Sequence, residues 1–419
     1  LFAVPFLILA AGGAAQKKKT PEVPPPAPSP ADIARDESFW FPVQAAFDID
    51  RSVINLNNGG VHPAPRVVMN ALHRHLDFAN GAPTHNAWSF LRPRKELVRK
   101  LVADTFGCSP EEIALVRNVT EALQIALLGI ELKPGDEVLT TEHDYPSMKN
   151  ALYQRQKRDG VVVRTFSFPT PPASLAELTA LFERNVTERT KLILLCHITN
   201  LTGQIFPVKE ICRLARARGI EVVVDGAHAF GHFDFKVGDL ECDIYGANLH
   251  KWMMAPMGNG FLYVRQERIR DIWPLFPAAD PLGDDIRKFE AYGTQQDALW
   301  AAVPEAVAFH EGIGAKNKEE RLRYLREYWR LGLNDLPGFR FLTSLDPEQS
   351  CGIGTFCVEG ADNAALAAFL LDRYRIITST IKLPEGPTVI RVTPSVYTTL
   401  HELDVFVRAV GEFVAAKDR

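Results

Sequence analysis

KLILLCHITNLTGQIFPVKEICRLARARGIEVVVD, residues 191–225, is the stretch on which the reading of the fold turns. Lys191–His197 is an unbroken apolar run of strand length, the pattern of a strand covered on both faces. Val208–Arg218 has helical spacing, and Gly219 stands where a helix closes in the left-handed conformation that glycine adopts readily. Ile220–Asp225 is a second run of the first kind. Strand, helix, strand in this order is the unit of a parallel sheet, because parallel neighbours need a long crossover. The same alternation extends outward. Ile113–Val116 reads as a strand, Thr120–Leu128 as a helix and Lys133–Asp136 as a turn. Glu137–Thr140, Val161–Phe166, Asp243–Ala247 and Gly260–Val264 read as further strands. The prediction is an α/β fold, a mainly parallel sheet under helices, with ligands beyond the carboxyl ends of the strands.

Past residue 300 the texture changes. Pro304–Ile313 and Lys316–Leu331 read as helices, Gly352–Val358 and Thr388–Val392 as short strands, and His401–Ala416 as a closing helix. The chain divides accordingly into a large domain over 61–295 and a smaller α+β domain over 296–419, with 32–60 packing on the smaller one. The 419 residues are 46% hydrophobic and 23% charged, enough apolar material for a large core. A net charge of −4 excludes a basic nucleic-acid surface. The six cysteines form no CxxC pair and no metal-ligand spacing, so they read as buried thiols, with neither a disulfide framework nor a metal site. Residues 1–19 run from an apolar stretch, Leu1–Ala10, through small residues to Lys17–Lys19. That order reads as a signal peptide with a basic flank, predicting export to the periplasm or beyond; the alternative is a cytoplasmic enzyme. Residues 20–31 are proline-rich and read as an extended linker. No other segment is apolar over the length that a bilayer demands.

The chemistry gathers around Gly246–Trp252 (GANLHKW). Lys251 alone would be an ordinary surface lysine. Asp225, however, closes a fully apolar strand, and a carboxylate there must find a cationic or hydrogen-bonding partner in the crevice to offset its burial. A protonated pyridine nitrogen is such a partner, and a lysine nearby supplies the imine that would carry the ring. Arg117–Leu123 (RNVTEAL) passes from a strand into a helix. Asn118 or Thr120 can cap that helix, whose free N–H groups form an anion site, although a threonine at a helix start is more often only a cap. His250 can reach the same anion or stand in solvent.

These segments carry a resemblance. Asn55–Gly60 (NLNNGG), Arg117–Ala122, Glu142–Tyr145 (EHDY), His197–Gly203 (HITNLTG), Val224–His228 (VDGAH), His250-Lys251 and Gly293-Thr294 occur in the order found in class V aminotransferase-fold enzymes. The chain resembles that family over roughly residues 50–400, most closely its isopenicillin N epimerase-like members and more distantly cysteine desulfurases. The resemblance implies the pyridoxal-phosphate transferase fold (fold type I) and pyridoxal 5'-phosphate as cofactor, bound as a Schiff base to Lys251. Asp225 would face the ring nitrogen, and Asn200 and His228 the ring hydroxyl. Val119, Thr120 and His250 would hold the phosphate. Thr294 would reach the phosphate of a neighbouring subunit, which implies a homodimer with shared sites. His143 and Tyr145 are both candidates to stack on the ring. Asn58 and Gly59 would contact substrate, and Arg391, in Val389–Pro394 (VIRVTP), would clamp its α-carboxylate, a task suited to a planar guanidinium.

Departures narrow the activity. Desulfurases carry a nucleophilic cysteine shortly before the clamp arginine, and Arg373–Ile390 holds none. His228 replaces a usual glutamine and Asn248 a frequent serine. The implied function is a pyridoxal-phosphate enzyme acting on a small amino-acid substrate through a Cα carbanion, with Lys251, Asp225 and His228 as the catalytic group. Epimerisation, transamination and elimination all remain open, so that isomerase, transferase and lyase are all admissible. The alternatives are a C–S lyase on a cysteine conjugate and a non-catalytic binding protein of the same fold. No GxGxxG follows a strand and no GxxxxGK[ST] occurs, which leaves a nucleotide enzyme without support.

Overall fold

The structure, a computed structural model, describes residues 28–417. The signal-peptide reading of 1–19 and most of the 20–31 linker lie outside the described residues. Within that linker a helical turn, Pro30–Ile33, begins under a Ser29 cap.

Thirteen strands lie among the described residues, in chain order: β1 (Ile54–Asn55), β2 (Ile113–Val116), β3 (Glu137–Thr141), β4 (Val162–Phe166), β5 (Thr190–Cys196), β6 (Glu221–Asp225), β7 (Ile244–Asn248), β8 (Gly260–Val264), β9 (Phe339–Phe341), β10 (Gly354–Val358), β11 (Ile376–Ile377), β12 (Ser379–Lys382) and β13 (Thr388–Val392). Seven form one sheet in the order β2-β8-β7-β6-β5-β3-β4. The β3, β4, β5, β6 and β7 pairings are parallel, and β8 runs antiparallel to both its neighbours. The apolar runs follow from double coverage. Ile193 and Leu195 of β5 join one core beneath the sheet, while Leu192 and Leu194 join the other. Each such fully buried side chain contributes about 1.5–3 kcal/mol.

A four-stranded antiparallel sheet, β12-β13-β10-β9, forms the smaller body with the helices Ala315–Leu333, Asn363–Tyr374 and Leu400–Lys417. The segment before residue 60 joins it: β1 pairs in parallel with β11, and Arg321 bonds Glu37 and the Ala34 carbonyl. The expected boundary at 296 needs correction. Ala298, Trp300, Val303, Ala306 and Val307 pack in the large-domain core with Val68, Val98 and Val102, so the smaller body begins later. The helices Arg66–Gly81 and Lys95–Phe106 were not anticipated, although Val68-Ala71-Leu72 and Val98-Val102-Ala103-Phe106 show the three-to-four spacing of one buried face. No described helix is long and apolar enough to cross a membrane. All six cysteines are free thiols, and no group of His, Cys, Asp or Glu among the described residues could hold a metal.

Candidate active site

The carboxyl ends of β5, β6 and β7 present Cys196, Asp225 and Asn248 side by side, opposite the start of the Val119–Gly129 helix. Two glycines make this meeting possible. A Cβ on Gly226 would lie 2.0 Å from the Tyr245 ring, so only glycine lets the chain turn away directly after Asp225. A Cβ on Gly260 would lie 2.8 Å from the Asn118 Cα, so glycine in β8 admits the helix start. The result is a crevice of about 230 Å³ lined by Asn118, Val119, Thr120, Tyr145, Cys196, Asn200, Asp225, His228, Asn248, His250 and Lys251, among others.

Asp225 is 4% exposed. Burial pushes its carboxyl up to about 6, against the Ala227 N–H, which donates to Oδ1 at 2.9 Å, and the charge of Lys251. Burial likewise brings the Lys251 amine down to about 8, with Asp225 opposing and Arg391 assisting. Lys251 Nζ lies 3.1 Å from His228 Nε2. Burial, reinforced by the cations Lys251 and Arg391, holds His228 well below the ordinary histidine range, so its ring is neutral. The hydrogen-bond network therefore assigns Nε2 as the acceptor and places the proton on Nδ1. That Nδ1 is buried without a protein partner.

Arg391 is 5% exposed and forms no ion pair among the described residues. Nη1 donates to the Asn200 carbonyl at 2.8 Å and Nη2 to Asn57 Oδ1 at 2.9 Å, while Nε has no protein partner. Burial lowers it to about 10, and it stays cationic at neutral pH. A buried cation held only by neutral oxygens lacks the anion that would compensate its desolvation, and a substrate carboxylate is such an anion.

The other sequence-derived residues divide. Thr120 is at the second helical position, where the backbone N–H has no acceptor within the helix. Val119 stands at the helix start, but its N–H donates to Asn248 Oδ1 at 2.9 Å. His250 lines the crevice with Nδ1 3.3 Å from the Asn259 carbonyl. Gly59 lies against Thr393 and His228. The Asn58 expectation needs correction. Its amide donates to the Asn55 and Thr393 carbonyls, and its oxygen accepts from Asn55 and Tyr397. Nothing is left for substrate, and Asn57 is the neighbour that reaches the clamp. His143 turns away from the crevice to stack on Phe168 at 3.9 Å, leaving Tyr145 as the aromatic group on the wall. Thr294 is exposed beside Trp88 and Gln295, outside the crevice of its own chain. Asn57, Asn248 and Cys196 were not chosen from sequence as site residues. Asn57 had a signal in the NLNNGG run, and Asn248 in its place near Lys251.

The residues fit pyridoxal phosphate. A helix N-terminus with a free N–H suits the phosphate, a buried carboxyl suits a pyridinium, and the unpartnered His228 Nδ1–H suits the ring oxygen.

Comparison with known proteins agrees. Residues 54–409 match the family model described as aminotransferase class-V. The chain is 33% identical over 385 residues to the isopenicillin N epimerase of Streptomyces clavuligerus, covering 87% of this chain and 96% of that one. It is 31% identical to the isopenicillin N epimerase of Amycolatopsis lactamdurans, with 89% and 98% covered. A probable cysteine desulfurase of Synechocystis is 29% identical, with 82% and 81% covered. Among solved structures, the cysteine desulfurase of Thermococcus onnurineus superposes with a TM-score of 0.79 at 24% identity, covering 90% of this chain and 98% of that one, a likeness of fold.

Proposed function

We propose that this chain, which belongs to the aminotransferase class-V family, is a pyridoxal-phosphate enzyme that inverts the configuration at Cα of an amino-acid substrate. One observation carries the proposal. A lysine amine and a buried carboxyl line one crevice, a guanidinium without a carboxylate partner is bonded to its wall residue Asn200, and no activated thiol joins them. Cys196 lies there, but burial first, and the nearby Asp144 and Asp225, push its thiol well above the ordinary range. It stays protonated at neutral pH and serves no persulfide chemistry. The Arg373–Ile390 stretch also lacks a cysteine. The two epimerases similar over almost the whole chain support inversion as the outcome.

When bound, pyridoxal phosphate supplies an electron-accepting ring that makes the bonds at Cα labile. The protein's residues do the rest. The helix start at Thr120 and the His250 side chain would hold the phosphate. Asp225 would hold a positive charge on the ring nitrogen, and Tyr145 would pack against the ring. Arg391 takes the substrate carboxylate and thereby orients Cα. Lys251, whose amine burial brings down from the ordinary lysine range, would take the α-proton in its neutral form and can return it. Net inversion requires that the returned proton arrive on the opposite face.

The proposal includes a homodimer with shared sites. Its support is the placement of Thr294, exposed and away from its own crevice, in a surface hollow shared with the exposed Trp88. It also includes export, supported by the Leu1–Ala15 pattern. The deciding experiment incubates the protein and pyridoxal phosphate with candidate amino acids and short peptides in deuterium oxide. Inverted product with deuterium at Cα is expected. Keto acid would instead indicate transamination, and pyruvate with ammonia would indicate elimination from a cysteine conjugate; either one as the main product ends the epimerase reading.

A further inference from the structure

Behind Lys251 lies a set of buried side chains that the chemistry above does not use. His232 is fully buried and stacks face to face on Trp252, with ring centroids 3.8 Å apart and planes 7° from parallel. The Gly352 N–H donates to His232 Nε2 at 2.9 Å. That bond leaves the proton on Nδ1, which lies 2.8 Å from the His228 carbonyl and donates to it. On the far side of the stack, Lys318 donates to the Trp252 carbonyl and lies 3.4 Å from His310 Nδ1. Lys318 is 2% exposed and forms no ion pair among the described residues. The Gly352 segment is itself held by Arg326, which donates to the Cys351 carbonyl at 2.8 Å and to Ser350 Oγ.

The geometry has one consequence at the reacting amine. His228, the acceptor for Lys251 Nζ, is gripped by its backbone carbonyl through His232. Trp252, the residue directly after Lys251, is gripped by its ring through His232 and by its carbonyl through Lys318. Both anchors belong to the smaller body, the Ala315–Leu333 helix and the turn before β10, which also bears Arg391 in β13. We propose that His232 is a positioning residue that fixes the Lys251 amine against His228 and ties it to the body carrying the carboxylate clamp. His232 must be neutral for this, since Gly352 donates to Nε2. Burial, with Arg323, Lys318 and Arg326 facing it, keeps it so.

The inference rests on the proposed role of Lys251, but its test reads the amine directly. Lysines of the cofactor-free protein are labelled with trace acetic anhydride across a pH series, and Lys251 acetylation is quantified by mass spectrometry. Three proteins are compared with the unaltered one. His232→Phe keeps a flat ring but loses both hydrogen bonds. His232→Gln keeps a donor and an acceptor in similar places. Trp252→Leu removes the stack. The Lys251 midpoint, which burial brings down in the unaltered protein, should rise by about one unit in His232→Phe and Trp252→Leu as the amine escapes its desolvated place. His232→Gln should restore the original midpoint. A merely structural role would lower Tm and leave the midpoint alone. Unchanged Lys251 titration in folded His232→Phe overturns the inference, and if that protein does not fold, unchanged titration in Trp252→Leu does so. Pyridoxal-phosphate binding by the unaltered protein is measured separately, so a failure of the cofactor reading and a failure of this inference give different results.

Discussion

Replacing Asp225 by asparagine should make the cofactor-free protein more stable and the enzyme worse. The carboxyl is 4% exposed, accepts one backbone N–H and is pushed up from 3.8 to about 6, chiefly by burial. The sign follows from linkage. A raised folded-state pKa means that the native protein binds a proton that the unfolded chain releases, so stability falls as pH rises through roughly 4–6. The cost is fully present above that window. At about 1.4 kcal/mol per unit, the shift from 3.8 to about 6 amounts to about 3 kcal/mol at pH 7. Asparagine keeps the oxygen that accepts from Ala227 and never ionises. With unfolding entropy of roughly 2 cal/mol/K per residue, about 3 kcal/mol corresponds to a Tm increase of about 4 °C. Calorimetry of the cofactor-free variant and parent at pH 7.5 and pH 4 is the assay. The gain should appear at pH 7.5 and vanish at pH 4, where Asp225 is already protonated. In the loaded enzyme the same change removes the charge facing the ring nitrogen and should slow turnover on the order of a hundredfold. An unchanged or lower Tm at pH 7.5, or a gain that persists at pH 4, would refute the argument that this carboxyl is held at a cost for function.

Arg391→Gln should raise KM for the amino-acid substrate on the order of a hundredfold, because a charge-assisted contact of about 2–3 kcal/mol is lost; steady-state kinetics showing an unchanged KM would remove Arg391 as the clamp. Tyr145→Ala should weaken pyridoxal-phosphate binding about three- to tenfold, the worth of one aromatic stacking contact, whereas His143→Ala should change it little while lowering Tm through the lost Phe168 stack. Equilibrium titration of the two variants checks this, and the reverse order would return His143 to the ring.

The parts of the fold that were legible are those with a one-dimensional signature. Strands β2 and β8 fall where their apolar runs lie, because a strand covered on both faces favours apolar residues throughout. The boundary near 296 was not legible. The Val303–Ile313 helix has an apolar face, but nothing in the face says which body it covers. The site shows the same division. Asp225 and Lys251 announce themselves by a charge at the end of an apolar strand and a lysine beside a strand end. Asn57 and Asn58 look alike in sequence, and their roles are separated by Tyr397 and Thr393, more than 300 residues away. His143 and Tyr145 are sorted by the residue between them. Asp144 Oδ2 accepts from the Thr140 hydroxyl and from the Thr141 N–H and hydroxyl, and Oδ1 accepts from the Cys196 N–H. That knot fixes the turn and sends its two aromatic neighbours to different sides.

The most direct measurement is the near-ultraviolet and visible absorbance of the protein loaded with pyridoxal phosphate, before and after borohydride, with the reduced adduct located by peptide mapping. The account predicts a visible band that borohydride abolishes, a pyridoxyl group on Lys251, and no band in Lys251→Ala. A protein that takes up no cofactor, or an adduct on a lysine other than Lys251, would contradict it.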